Sequence, residues 1–232
     1  MSHATIALED LEGVALVAAI EQRFDTMEYD VSVGDRTLNI LRPRNSDDLI
    51  REEDFVKDER LPYWADIWPA STILAAELIK TEGKGQRLLE LGCGVGLVST
   101  AALAAGYKVV GSDYYTDALA FTRANGFRNL RRSPEARMIN WREFPSTENG
   151  YDFVVASDVL YEEEYARLMP HLFLTALKPG GTAIMADPGR IAAPIFLEQS
   201  KAAGFKLWSD DIFPFSAEGI NQQITIYRLE KP

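Results

Sequence analysis

Residues Leu88 to Ser99 read Leu-Leu-Glu-Leu-Gly-Cys-Gly-Val-Gly-Leu-Val-Ser, an apolar run that ends in three glycines spaced two apart and continues into helix-forming residues. Glycine has no Cβ, so a turn carrying Gly92, Gly94 and Gly96 can adopt positive φ and present its backbone amides to a ligand at the carboxyl end of a strand. A strand, a glycine turn and a helix in this order start a βαβ unit, and they make the turn a candidate cofactor cradle.

The rest of the chain extends that unit. From Arg87 onward, strands expected near Leu88 and at Tyr107–Ser112, Ala136–Ile139, Phe153–Ala156 and Thr182–Ala186 alternate with helices over Leu97–Ala105, Thr116–Phe127, Glu162–Leu177 and Ile191–Ala203. Such alternation predicts a doubly wound, mostly parallel α/β sheet with helices on both faces. Strands at Phe205–Trp208 and Gln223–Arg228 lack room between them for a helical crossover, so the last strand should run antiparallel. Upstream of the sheet, an amphipathic segment over Ala7–Phe24 and a hairpin of Tyr29–Val33 with Arg36–Ile40 around Gly34-Asp35 suggest a small N-terminal helix and hairpin cap. The expected division is therefore a cap over residues 1–60 and a main domain over residues 61–232. A second helix is expected at Thr72–Lys80.

Composition narrows the function. The 232 residues, 47% hydrophobic and 25% charged, suit a globular chain with one sizeable core, and the formal charge of −11 disfavours a nucleic-acid partner. Arg128, Arg131, Arg132 and Arg137 form the one local basic patch and read as a solvated loop. A single cysteine, Cys93, and two distant histidines, His3 and His171, give no metal-binding pattern, and His171 reads as a structural mid-helix residue. There is neither a signal-like start nor a long apolar span, so a cytoplasmic chain with no membrane partner is expected.

Asp113 falls at the end of the second strand of the unit, about twenty residues after the glycines, where a carboxylate can bind both hydroxyls of a ribose or simply cap the next helix. Ser157 and Asp187 occupy further strand ends and should converge on the same site. A dinucleotide fingerprint would need Gly or Ala where Leu97 stands, and no P-loop Gly-Lys pair is present. Instead, Glu90-Leu-Gly-Cys-Gly-Val-Gly96 resembles the first motif of the seven-stranded, Rossmann-like S-adenosylmethionine-dependent methyltransferases. Asp158-Val-Leu-Tyr161, Pro62-Tyr-Trp-Ala65 and Asp187-Pro-Gly-Arg190 resemble the protein-lysine methyltransferase group that includes the electron-transfer-flavoprotein β-subunit enzymes and their bacterial relatives. The resemblance spans about residues 60–232. It implies S-adenosylmethionine as cofactor, contacted by Trp68, Glu90, Gly92, Gly94, Asp113, Trp141 and Ser157, with Trp141 beside the adenine. It also implies Asp158 and Tyr161 at the acceptor amine, and a protein lysine as substrate.

The chemistry is consistent with those residue types. Methyl transfer to an amine is an in-line displacement that depends on alignment. A lysine must first lose its proton, which costs roughly 4.6 kcal/mol at pH 7, and aromatic walls such as Tyr161 and Trp64 would favour the neutral form. Asp158 would capture and orient the amine. The bland alternatives are a core ring for Tyr161, a helix cap for Asp158, packing for Trp141, two core rings on one helical face for Trp64 and Trp68, a small filler for Cys93, and a plain turn at Asp187–Gly189. A small-molecule N-methyltransferase, whose pocket the N-terminal cap would close, and a non-catalytic cofactor-binding module remain the alternative functions. A nicotinamide oxidoreductase is disfavoured by Leu97.

Overall fold

Strand β3 (Arg87–Leu91) is buried at every position after Arg87, as expected of a parallel strand covered on both faces. The computed structural model describes residues 7–50, 61–217 and 219–232; His3 and the acidic run Glu52–Glu59 lie outside them. Around β3 stand β4 (Lys108–Asp113), β5 (Glu135–Met138), β6 (Tyr151–Ser157), β7 (Leu177–Asp187), β8 (Lys206–Ala217) and β9 (Ile220–Glu230) in the order β5-β4-β3-β6-β7-β9-β8. The pairs among β3 to β7 are parallel, and β9 alone runs antiparallel, inserted between β7 and β8. The doubly wound, mostly parallel seven-stranded sheet with an antiparallel last strand is thus the observed architecture. The chain reverses direction across the sheet between β3 and β6, and that switch point opens the crevice in which such folds bind ligands.

Helix α3 (Leu97–Ala104) follows the glycine turn and is buried from Leu97 to Leu103. It lies between α2 (Pro69–Ile79), whose first residue is the proline that a helix start tolerates, and α4 (Thr116–Leu130). On the other face, α5 (Glu163–Ala176) packs against α6 (Ala193–Ala202) over Met169, Phe173 and Phe196.

The N-terminal hairpin joins β1 (Thr26–Val33) to β2 (Arg36–Pro43), with Gly34 at φ +63° in the two-residue turn. It docks on α4 through two asparagines one helical turn apart. Asn125 accepts from Leu41 N–H and donates to Leu41 C=O, both at 2.8 Å, and Asn129 does the same for Asn39 at 2.9 Å. The side-chain amides thereby replace a neighbouring strand, satisfying backbone groups that burial would otherwise orphan. Asn125 also donates to the Val95 carbonyl at 2.8 Å, tying the hairpin to the glycine turn.

Several expectations need correction. The helix over Ala7–Phe24 is broken: a 3-10 turn at Leu8–Asp10 precedes α1 (Gly13–Arg23), because Gly13 takes φ +56°, which a continuous right-handed helix excludes. The arginine patch is a solvated loop only at Arg131 and Arg132, which are exposed in the bend after α4. Arg128 lies on α4, four-fifths buried and paired with Glu28, and Arg132 donates to the Leu103 carbonyl. Arg137 sits on β5 between Glu135 and Glu148. His171 is exposed on α5. Among the described residues no helix is long and apolar enough to cross a membrane, and no cluster of His, Cys, Asp or Glu could hold a metal ion.

Candidate active site

A cavity of about 440 Å³ opens at the carboxyl ends of β3, β4 and β6. Trp68, Glu90, Gly92, Gly94, Asp113, Trp141, Ser157, Asp158 and Tyr161, the residues singled out from sequence, all line it. Its floor is the turn after β3, where Gly92, Gly94 and Gly96 have φ of +74°, +51° and +84°. A Cβ at Gly94 would lie 2.9 Å from the Trp64 carbonyl oxygen, and one at Gly92 would press on the Trp141 ring at 3.2 Å. The turn therefore needs glycine for both conformation and space.

Asp113, at the end of β4, takes backbone N–H groups on both oxygens, Gly94 at 3.0 Å and Tyr115 at 3.1 Å. Burial raises its pKa, and those N–H groups oppose the rise. Glu90 is nearly inaccessible and accepts from Ser99 Oγ at 2.5 Å. Desolvation pushes its carboxyl up from 4.5 to about 8, against the lowering effect of Ser99. Cys93 is buried, accepts from Thr122 at 3.2 Å, and has its thiol pKa raised by burial, so it packs the turn as an inert thiol.

Asp158 follows β6 in the left-handed region, at φ +57°. Its Oδ1 accepts Arg190 Nε–H at 2.8 Å and lies 2.7 Å from Nη2 in the same ion pair. Burial raises the Asp158 pKa while Arg190 lowers it. Asp187 departs from expectation: it is fully buried and does not line the cavity. Its Oδ1 instead accepts Gly189 and Arg190 N–H at 2.8 Å each, folding the turn that aims Arg190 at Asp158.

An arc of rings borders the opening. Trp68, Tyr63, Tyr161, Tyr165 and Trp141 stand in successive edge contacts with centroids 6.0, 5.6, 5.2 and 5.2 Å apart. Tyr161 is 41% exposed, which rules out a core ring, and burial of its hydroxyl region raises its pKa. Trp64 and Trp68 do not share a helical face: Trp64 sits in a 3-10 turn against Tyr115 and Phe121, and Trp68 precedes α2 and donates to the Tyr63 carbonyl at 2.9 Å.

Residues 68–222 match the family model described as a methyltransferase domain. The chain belongs to this family. It is similar to the electron transfer flavoprotein β subunit lysine methyltransferase of Danio rerio, with 31% identity over 134 residues, 56% of this chain and 51% of that protein. It is also similar to the protein N-lysine methyltransferase METTL21A of Danio rerio, with 32% identity over 139 residues, 55% of this chain and 61% of that protein. The chain thus spans between half and two thirds of the length of these relatives. In fold it resembles magnesium protoporphyrin IX methyltransferase from Synechocystis PCC 6803, solved with bound SAM, at a TM-score of 0.57 and 19% identity, covering 71% of this chain and 80% of that one.

Among the lining side chains to which the sequence assigned no role are Tyr63, Tyr165 and Arg190. Tyr165 is four residues beyond Tyr161, the spacing that stacks side chains on a helix start, and could have been found. Tyr63 was visible only as the neighbour of Trp64. Arg190 meets a carboxylate 32 residues away, a pairing no local pattern encodes.

Proposed function

We propose that the chain methylates the side-chain amine of a protein lysine with S-adenosylmethionine as donor. The observation that carries this reading is the convergence in one cavity of the glycine cradle, the Asp113 carboxylate and the Asp158–Tyr161 wall. A volume of about 440 Å³ suits an adenosyl-sized ligand. The cradle accepts close approach to backbone, and the Asp113 carboxylate, held by the backbone N–H groups of Gly94, Tyr115 and Tyr114, lines the cavity with acceptor oxygens that suit the two hydroxyls of a ribose. On this reading Trp141 flanks the adenine, Trp68, Gly92, Gly94 and Ser157 complete the contacts, and ionised Glu90 complements the donor's positive charge. The cofactor supplies an electrophilic methyl on a sulfonium, so the acceptor must offer a lone pair, and sulfur leaves with the bonding electrons as a neutral thioether.

The residues of the chain therefore have to align an amine and keep it free of its proton. Asp158 Oδ2 can accept an amine N–H, and the rings of Tyr161 and Tyr63 exclude water beside it. A large acceptor is supported by the rim, where Tyr63, Tyr114 and Tyr161 are 40–44% exposed and no residue of 7–50 lines the opening. The names of the curated relatives point to lysine as well.

The test is incubation with tritium-labelled methyl donor and cell extract, followed by mapping of the label. Methyl-lysine in a protein band is expected. Label confined to a small metabolite would replace this reading with a small-molecule N-methyltransferase, and donor binding without any transfer would leave only a cofactor-binding module.

A further inference from the structure

A carboxylate beside an amine favours ammonium, the form that cannot attack an electrophile. The structure places a second charge against that carboxylate. Arg190 Nε donates to Oδ1 of Asp158 and Nη2 stands in ion-pair contact with the same oxygen, while Oδ2 takes no hydrogen bond among the described residues. The pair is rigidly built: the Asp158 side chain is 4% exposed, its N–H donates to the Ala186 carbonyl at 2.9 Å, and its backbone holds the left-handed conformation that non-glycine residues avoid. On the other side, Asp187 fixes the Arg190 turn through two backbone N–H bonds.

We propose that Arg190 is a positioning residue acting through Asp158: it fills Oδ1 and balances the carboxylate's charge, so an incoming amine finds Oδ2 as a hydrogen-bond acceptor without being held as ammonium. The amine's proton leaves to water before attack, and the Asp158–Arg190 pair keeps its own charge state throughout. This rests on the amine-acceptor reading. The other charged and titratable groups near Asp158 are few. Asp187 faces it from the end of β7, and its carboxyl, buried with Oδ2 unpartnered, is displaced toward the protonated form. Tyr161 and Glu162 face it from the start of α5, and Asp113 lies across the cavity. Arg142 also lines the cavity, but its Nε and Nη2 donate to the Glu164 carboxylate at 2.8 Å each, so Arg190 is the cation paired with Asp158.

The experiment compares wild type, Arg190→Met and Arg190→Lys by kcat against pH, from about pH 6.5 to 10, at saturating acceptor. The acceptor is the protein that wild type labels in a bacterial lysate, purified. In Arg190→Met the acid limb should move up by about one to two pH units, with the rate at neutral pH down at least about tenfold and recovering in the alkaline range. Donor binding, read by tryptophan quenching, should be unchanged, and Arg190→Lys should restore the wild-type limb. A rate lowered equally at all pH values, or a loss of donor binding, would assign Arg190 a merely structural role and overturn the proposal while leaving the methyltransferase reading intact. If wild type labels no protein, the protein-lysine reading falls and takes this inference with it.

Discussion

Replacing Glu90 with Gln tests the electrostatics of the cavity floor through stability, independently of any substrate. The folded carboxyl titrates at about 8 and the unfolded one at 4.5. Between these values the folded state holds a proton that the unfolded state releases, so stability is full below the unfolded pKa and is lost as pH rises toward the folded pKa. The difference corresponds to about 5 kcal/mol when complete, most of it falling between pH 5 and pH 8. Glutamine has the same shape and cannot ionise, and it can still accept from Ser99 Oγ. Asp113, Asp158 and Asp187 also have raised pKa values and shift stability in the same direction, but they are present in both proteins and cancel in the difference. Urea unfolding followed by tryptophan fluorescence should therefore show the two proteins close at pH 5, with the variant gaining about 3 to 4 kcal/mol on wild type by pH 8. A gap that does not change with pH would refute the claim that Glu90 folds in its neutral form. If the gap widens as expected, binding a cationic donor near pH 7 should release a proton, visible as a buffer-dependent heat in calorimetry.

Gly96→Ala should be strongly destabilising, because its Cβ would lie 2.6 Å from the Thr122 Cα in a backbone at φ +84°; a loss of about 3 kcal/mol or more is expected by thermal or urea unfolding. Asp158→Asn should lower turnover at least about tenfold while donor affinity, measured by fluorescence quenching, stays within about twofold. Trp141→Ala should do the opposite, weakening donor binding at least about tenfold through loss of the ring over Gly92, and an unchanged dissociation constant would remove Trp141 from the donor site. Asn125→Ala should cost about 3 kcal/mol, since it orphans the Leu41 N–H and the Leu41 and Val95 carbonyls.

The parallel sheet was readable because each of its strands ends in a feature that physical chemistry restricts. Gly92, Gly94 and Gly96 allow only a turn, and Asp113 and Ser157 end buried apolar runs. What escaped reading depended on distant partners. Ala7–Phe24 keeps helical periodicity across Gly13, and nothing local reveals that this glycine turns the backbone. Strand β8 runs to Ala217, well past the expected end at Trp208, through Asp210, Asp211 and Pro214. As an edge strand it pairs on one side only, so it tolerates a proline that a central strand would reject. Arg128 and Arg137 looked like solvated charge because Glu28 and Glu148 lie far from them in sequence or across a turn. At the site, the residue types were legible and their neighbours were not: Asp158 was visible, and the guanidinium that shares it was not.

The amide bridge at Asn125 gives the amino-terminal hairpin a say in events it never touches. One planar group, seated on α4, holds an outlying strand with one edge and the ligand-facing turn with another. Any tug, truncation or fusion upstream would reach Asn125 through its two bonds to Leu41 and pass by its third to Val95, which stands between Gly94 and Gly96 of the cradle. An engineer who trims that hairpin as dispensable decoration would be loosening the hinge pin of the pocket itself.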